Sequence, residues 1–348
     1  MMLSQKQINE IREALQNSQN PLFFFDNDAD GLCSFLLLSR MIGRGKGVAI
    51  KSFPELNESY ARKIDELNPD CVFILDKPII SDEFKSEVKK HNLPFFWIDH
   101  HDVDTGNIDG INYYNPLNDK KKSSEPITYW SYKISGRKED LWLAVAGCIA
   151  DNFFPEFVDE FAEEYPELWN NANTAFQALY ETQIGKLTRI FSFSLKDRTS
   201  NVVRMLKLLL RVKSPFEILD ESNKNSLVFR FEQVNKKYQK LFEKATVNVS
   251  KGKLLYFQYG GDLSLSADIS NELSYRFPDK VIVVAYIKGT KVNISLRGKN
   301  VRDITMKVIE GFEGATGGGH ENATGCKIQV EDLPKFKERI EELANKEY

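Results

Sequence analysis

The stretch that most limits what this chain can fold into is "PLFFFDNDADGLCS", residues 21–34. A short aromatic run opened by proline predicts a buried strand. Asp26, Asp28 and Asp30 follow it, then Gly31 and the apolar run "LCSFLLLSRMI". A strand that ends in carboxylates and turns at a glycine into an apolar helix is the βα opening of an α/β domain. Alternate residues of a strand share a face, so these aspartates can converge at its carboxyl end. Anions so close repel one another and are tolerable near neutral pH if a cation sits between them.

Two other readings compete. Asp26, Asp28, Asp30 and Gly31 fit the opening of an EF-hand loop. That loop needs a bidentate Glu at its twelfth position, where this chain has Leu37, and it lies between helices rather than after a strand. A solvated Asp-rich turn is the simpler alternative for the motif standing alone.

It does not stand alone. The candidate strands "DCVFILD" and "LPFFWID" also end in acid, at Asp76 and at Asp99, with His100 and His101 directly after. The apolar helix "LWLAVAGCIADN" runs to Asp151. Each has a plain alternative: Asp76 as a helix cap, the histidines as a solvated turn, Asp151 as a helix end. Aspartates and imidazoles gathered at one sheet edge suit Mn2+, Mg2+ or Zn2+.

With "GVAIKSF" (47–53), these strands alternate with helical segments over the first 150 or so residues. That rhythm predicts a parallel sheet with ligands at the carboxyl ends of its strands. Residues 156–245 read mostly as helices, broken near Pro166, Ser214-Pro215 and Asp220. Strand signals return in "KLLYFQY", "KVIVVAYI", "KVNISLR" and "GCKIQV", with a helix at "LSADISNELSYRF". The expected organisation is an α/β chain: a parallel-sheet domain over 1–155, a helical connector over 156–246, and a smaller C-terminal α/β domain over 247–348.

No apolar run approaches about 18 residues, so no membrane span is expected. The four cysteines are scattered and form no C-x-x-C pair, which suits a reducing cytoplasm. The net charge of -3 does not mark a nucleic-acid binder, but charge is unevenly placed. Residues 152–181 carry seven acids and no Lys or Arg, whereas 185–213 carry eight Lys or Arg and one Asp. Residues 276–307 carry eight Lys or Arg and two Asp. Two basic segments can form one positive wall, or each can be a solvated helix face.

Taken together, "DNDADG", Asp76, "DHH" at 99–101 and Asp151 resemble, in order, the four motifs of the DHH phosphoesterase superfamily. "GATGGGHENATG" (314–325) resembles the G-G-G-H motif of its DHH-associated substrate-binding domain, and "VNISLRG" that domain's Arg-bearing strand. The match runs from about residue 20 to 330. RecJ-like exonucleases and short-oligonucleotide phosphodiesterases are the nearest relatives by motif.

The resemblance implies two metal ions, Mn2+ with Mg2+ as the alternative. Asp28 and Asp76 would hold one, with Asp26 assisting. Asp30, Asp76, His100 and Asp151 would hold the other, so Asp76 bridges. Some branches carry a His four residues before the Asp28 position; this chain has Phe24 there, and Asp26 stands in as in the RecJ pattern. His101 would contact the scissile phosphate or tune His100, and Asp99 would orient the histidines. Arg297, His320 and the backbone of Gly317, Gly318 and Gly319 would take the substrate's phosphates. The glycine run is not a Walker loop, because no G-K-[ST] follows.

The implied activity is that of a metal-dependent hydrolase, an exonuclease or phosphodiesterase trimming single-stranded DNA or RNA or short oligonucleotides from an end. Alternatives are a small-phosphoester hydrolase acting on a cyclic dinucleotide or a phosphoadenosine compound, and a replication-associated scaffold of the same fold with weak activity. Replication or repair proteins are conceivable partners; the acidic stretch 156–167 is a partner surface or a solvated helix face.

Overall fold

The computed structural model describes every residue except 1, 2, 53, 54, 119–122, 124, 221–225, 248, 250, 251 and 348. The chain divides into two compact units, residues 1–232 and 233–348.

Among the described residues the first unit has seven strands: β1 Pro21–Asp26, β2 Lys46–Ile50, β3 Glu55–Leu56, β4 Cys71–Leu75, β5 Ile79–Ile80, β6 Phe95–Ile98 and β7 Asn112–Tyr114. Five of them form a sheet in the order β2-β1-β4-β6-β7, and every pairing is parallel. β3 and β5 form a separate parallel pair.

β1 lies inside the sheet and is covered on both faces, which is why it reads as a continuous apolar run. Leu22 and Phe24 pack with Val72, Ile74, Phe84 and Trp97. Phe23 and Phe25 point the other way onto Phe35 of the helix Ala29–Ile42, with ring centroids 5.4 and 5.2 Å apart. Complete burial of such a side chain contributes about 1.5–3 kcal/mol. Gly31 allows that helix to start directly over the strand: a Cβ there would lie 2.5 Å from the Asp26 carbonyl oxygen.

Register then aligns the strand ends. Phe25 pairs with Leu75, and Leu75 with Ile98. The next residues, Asp26, Asp76 and Asp99, therefore emerge side by side at the carboxyl edge. The ladder continues into two of them, since Asp76 N–H donates to the Ile98 carbonyl and Asp99 N–H to the Tyr114 carbonyl.

Against the helix Ala29–Ile42 pack Ile127–Ser135 and Leu141–Ala150. A Cβ on Gly147 would meet Thr128 Oγ1 at 2.2 Å, so glycine permits the close crossing of these two helices. The second ends at Asp151. Helices Val158–Glu164, Pro166–Trp169, Ala175–Glu181, Gln183–Leu195, Thr199–Leu209 and Phe216–Leu219 follow within the unit 1–232. Pro166 opens one of them, Pro215 precedes the last and Asp220 ends it. The long helix Ser226–Val247 spans the division at 232/233.

The second unit carries β8 Leu254–Gly260, β9 Val281–Lys288, β10 Lys291–Arg297, β11 Thr316–His320 and β12 Ala323–Gln329. Their order is β11-β12-β10-β9-β8; β8 runs parallel to β9 and the other pairs are antiparallel. The parallel pair needs a crossover, supplied by the helix Ser266–Arg276. One face packs on helices Val301–Ile309 and Leu333–Glu347 through Val283, Ile294, Ile304, Val308 and Phe336.

Strands expected at 47–53 and 325–330 are found at 46–50 and 323–329; Phe53 lies outside the described residues. The glycine run lies in an edge strand, β11. No helix among the described residues is long and apolar enough to cross a membrane. All four cysteines are free and buried.

Candidate metal centre

The three aspartates after β1 have three different local duties. Asp28 is the N-cap of the helix Ala29–Ile42, its Oδ1 accepting from Gly31 N–H at 2.9 Å. Asp30 is buried and reaches the helix Ile127–Ser135, whose own N-cap, Pro126, offers no side-chain cap. Both Asp30 oxygens accept backbone N–H groups there, from Ile127 at 2.9 Å and Thr128 at 2.7 Å. A carboxylate at a helix N-terminus satisfies orphan donors and meets the positive end of the dipole. Each oxygen retains a lone pair for another partner. Asp26 accepts at Oδ1 from the buried Lys77 ammonium at 2.8 Å.

Asp76 is the buried centre of the cluster. Its φ of 57° is unusual for a residue with a side chain, and such a conformation costs on the order of 1–3 kcal/mol. Its Oδ1 is buried with no hydrogen-bond partner among the described residues. His100 Nε2 lies 3.3 Å from that oxygen and 3.7 Å from Asp151 Oδ2. Asp30, Asp76 and His100 offer ligand atoms all within 4.8 Å of one another, as do Asp76, Asp99 and His101.

The electrostatics follow from this crowding. Desolvation, then Asp30, Asp28, Asp26 and Asp151, push the Asp76 carboxyl well above the usual carboxylate range. Asp28 is pushed up to about 8 by desolvation and by Asp26 and Asp30. A buried carboxylate oxygen without a donor, ringed by acids and an imidazole, is costly alone and well suited to a hard or borderline divalent cation. Asp28, Asp30, Asp76, His100 and Asp151 fit such an ion.

His101 Nδ1 lies 2.8 Å from Asp99 Oδ1, and its backbone N–H donates to Asp99 Oδ2 at 3.1 Å. Burial alone would lower the His101 pKa, but Asp99 outweighs it and holds the imidazole at about 9. Asn115 Nδ2 donates to the His101 carbonyl at 3.0 Å and fixes the same turn.

The remaining expected residues lie in the second unit. Arg297, at the end of β10, donates from Nε to Asn271 Oδ1 at 2.5 Å and from Nη1 to the Thr324 carbonyl at 3.1 Å. His320 ends β11 with its side chain exposed. Gly319 has φ +132°, and a Cβ there would lie 2.6 Å from the Ala323 carbonyl oxygen. Gly317 faces Ile309 with no room for a Cβ, whereas nothing lies within 4 Å of where a Gly318 Cβ would be.

Sequence reasoning missed Lys77, although a lysine directly after a metal-site aspartate on an inner strand was a signal. It also missed Asp30 as a cap for another helix; the signal there was Pro126, a helix start that cannot cap itself.

Residues 251–346 match the family model of the DHHA1 domain. No curated protein matches the chain in sequence. Among solved structures, the chain is similar to RecJ in complex with Mn2+ from Thermus thermophilus, with TM-score 0.66 and 16% identity. That likeness covers 99% of this chain and 55% of the other, so the chain spans about half the length of that protein. It is also similar to an exonuclease RecJ bound to manganese, with TM-score 0.64 and 15% identity over 99% of this chain and 95% of that one. A third similar structure is the DHH domain of a member of a ribosomal-protein family. Its TM-score is 0.70 at 14% identity, covering 98% of this chain and 90% of that one. Residues 251–346 thus match the DHHA1 domain, and the chain as a whole has the fold seen in the RecJ structures.

Proposed function

We propose that the chain is a divalent-metal phosphodiesterase that hydrolyses single-stranded nucleic acid or short oligonucleotides from an end. The observation that carries this reading is the buried, unpartnered Asp76 Oδ1 with His100 Nε2 at 3.3 Å beside Asp30 and Asp151. The manganese in the two similar RecJ structures supports Mn2+ as the ion. Asp30, Asp76, His100 and Asp151 would hold one ion, and Asp28 with Asp76 a second. Held there, a divalent ion supplies an activated water and offsets the charge that develops on the phosphoryl oxygens.

The chain's own groups do the rest. His101, kept protonated by Asp99, donates a hydrogen bond to a phosphoryl oxygen and holds the scissile group in place. Asp99 fixes which imidazole nitrogen faces inward, because it occupies Nδ1. In the second unit, Arg297, His320 and the open backbone at Gly318 would bind phosphate. The exposed face of Thr199–Leu209 and the turn after it bears Arg204, Lys207 and Arg211, and would carry the backbone of longer substrates. The completeness of the acidic set supports an enzyme over a scaffold.

The test is a product time course with Mn2+ on end-labelled DNA and RNA of graded length. Stepwise shortening from one end supports the reading. Hydrolysis of only a cyclic dinucleotide or a mononucleotide phosphoester would replace it with the small-substrate alternative.

A further inference from the structure

Lys77 sits at the carboxyl edge of the parallel sheet with no solvent exposure. Its Nζ donates to Asp26 Oδ1 and to the Ser52 carbonyl, both at 2.8 Å. Its own carbonyl accepts the Trp97 indole N–H at 2.8 Å, which pins the residue from the neighbouring strand. Removing an ammonium from water is expensive, so a buried one persists where it has a charged partner and its protons are satisfied. Here the partner is the first aspartate of the motif. A fully buried Lys77 cannot be a substrate contact.

Resting on the metal-site reading above, we propose that Lys77 is a built-in cation for Asp26, which occupies its Oδ1, offsets its charge and so makes it a weak ligand, leaving the two metal positions unequal. Asp30, Asp76, His100 and Asp151 form a set of four protein ligands for one ion. The other position is left with Asp28 and the shared Asp76. Two carboxylates hold a hard cation more weakly than four ligands do, and water must complete the shell. The second ion is then the exchangeable one, taken up together with the phosphate of the substrate.

The test is titration of the metal-free full-length chain with Mn2+, followed by calorimetry and by the electron paramagnetic resonance signal of the free ion. The wild type takes up one ion at least about tenfold more tightly than a second. Asp26→Asn retains an oxygen to accept from Lys77 and leaves the tight ion's affinity within about twofold. Lys77→Met frees Asp26, and the second ion tightens by at least about tenfold, a gain that damage to the fold would not produce. Two equally tight ions in the wild type, or loss of the tight ion in Asp26→Asn, would overturn the proposal. So would a Lys77→Met variant with wild-type circular dichroism whose second ion does not tighten. If Lys77→Met does not fold, Asp26→Asn decides. A wild type that takes up no divalent ion overturns the metal reading itself, and this inference falls with it; two equal ions overturn the inference alone.

Discussion

Asp99 grips His101 at two points, at the imidazole Nδ1 and at the backbone N–H, while His101 Nδ1 also lies 4.0 Å from Asp76 Oδ1. The buried carboxylate thereby fixes both the ring and the turn that carries it. In the metal-free protein the His101 pKa is raised to about 9, so the imidazolium is stabilising below its ordinary value of 6.5 and that contribution is lost as pH rises through about 9. Asp99→Asn removes the largest raising influence and lowers the His101 pKa, as read by NMR titration. An unchanged pKa would remove Asp99 from this role.

Asp28 gives a second pH signature. Its carboxyl is raised to about 8 and is mostly protonated at neutral pH without metal. A raised carboxyl pKa favours the fold below the ordinary value of 3.8 and loses that contribution as pH rises through about 8. Thermal unfolding of the metal-free protein therefore shifts to lower temperature between those limits, and Mn2+ reverses the shift. Metal uptake at pH 7 releases protons, measured as a buffer-dependent heat in calorimetry. Equal heats in buffers of different ionisation enthalpy would contradict this.

Much of this centre was legible in the residues. Strands β1, β4 and β6 announced themselves as short aromatic and β-branched runs. Because each ended in an acid, one parallel register was enough to bring Asp26, Asp76 and Asp99 to a common edge. The rest depends on tertiary contacts with no local signal. Three-residue β7 is too short to show a period, and it forms because β6 offers it a ladder. Thr316–His320 shows no strand signal because glycine disfavours strands, yet β12 imposes the pairing and Gly319 supplies a backbone angle other residues avoid. The helices after residue 156 read as a connector because their apolar faces do not name a partner. In the structure Ile184, Leu187 and Phe191 bury one such face, and Trp142 of the helix before Asp151 meets Phe191.

The basic helix is tested by charge reversal. Arg204 and Lys207 are both exposed. Arg204→Glu with Lys207→Glu weakens binding of long single strands and makes the salt dependence shallower by about 1.4 log units per log unit of salt if each residue meets one phosphate. A dinucleotide is cleaved at the wild-type rate. Equal losses on both lengths would assign the helix to folding instead.

His320 separates phosphate capture from metal binding. A hydrogen bond to a charged group is worth roughly 1.5–3 kcal/mol, or about ten- to a hundredfold in rate or affinity. His320→Ala retains its Mn2+ and loses catalytic efficiency by that factor, most on the shortest substrates, which have few other contacts. Loss of an ion, or normal dinucleotide cleavage, would show that β11 has another task.

The most direct test is Asp76→Ala, assayed for Mn2+ uptake and for shortening of an end-labelled oligonucleotide beside the wild type. If Asp76 is the carboxylate shared by two ion positions, as proposed, its removal leaves a folded protein with sharply reduced Mn2+ binding and no detectable products, matching wild type in excess EDTA. Products at the wild-type rate from Asp76→Ala would contradict the account.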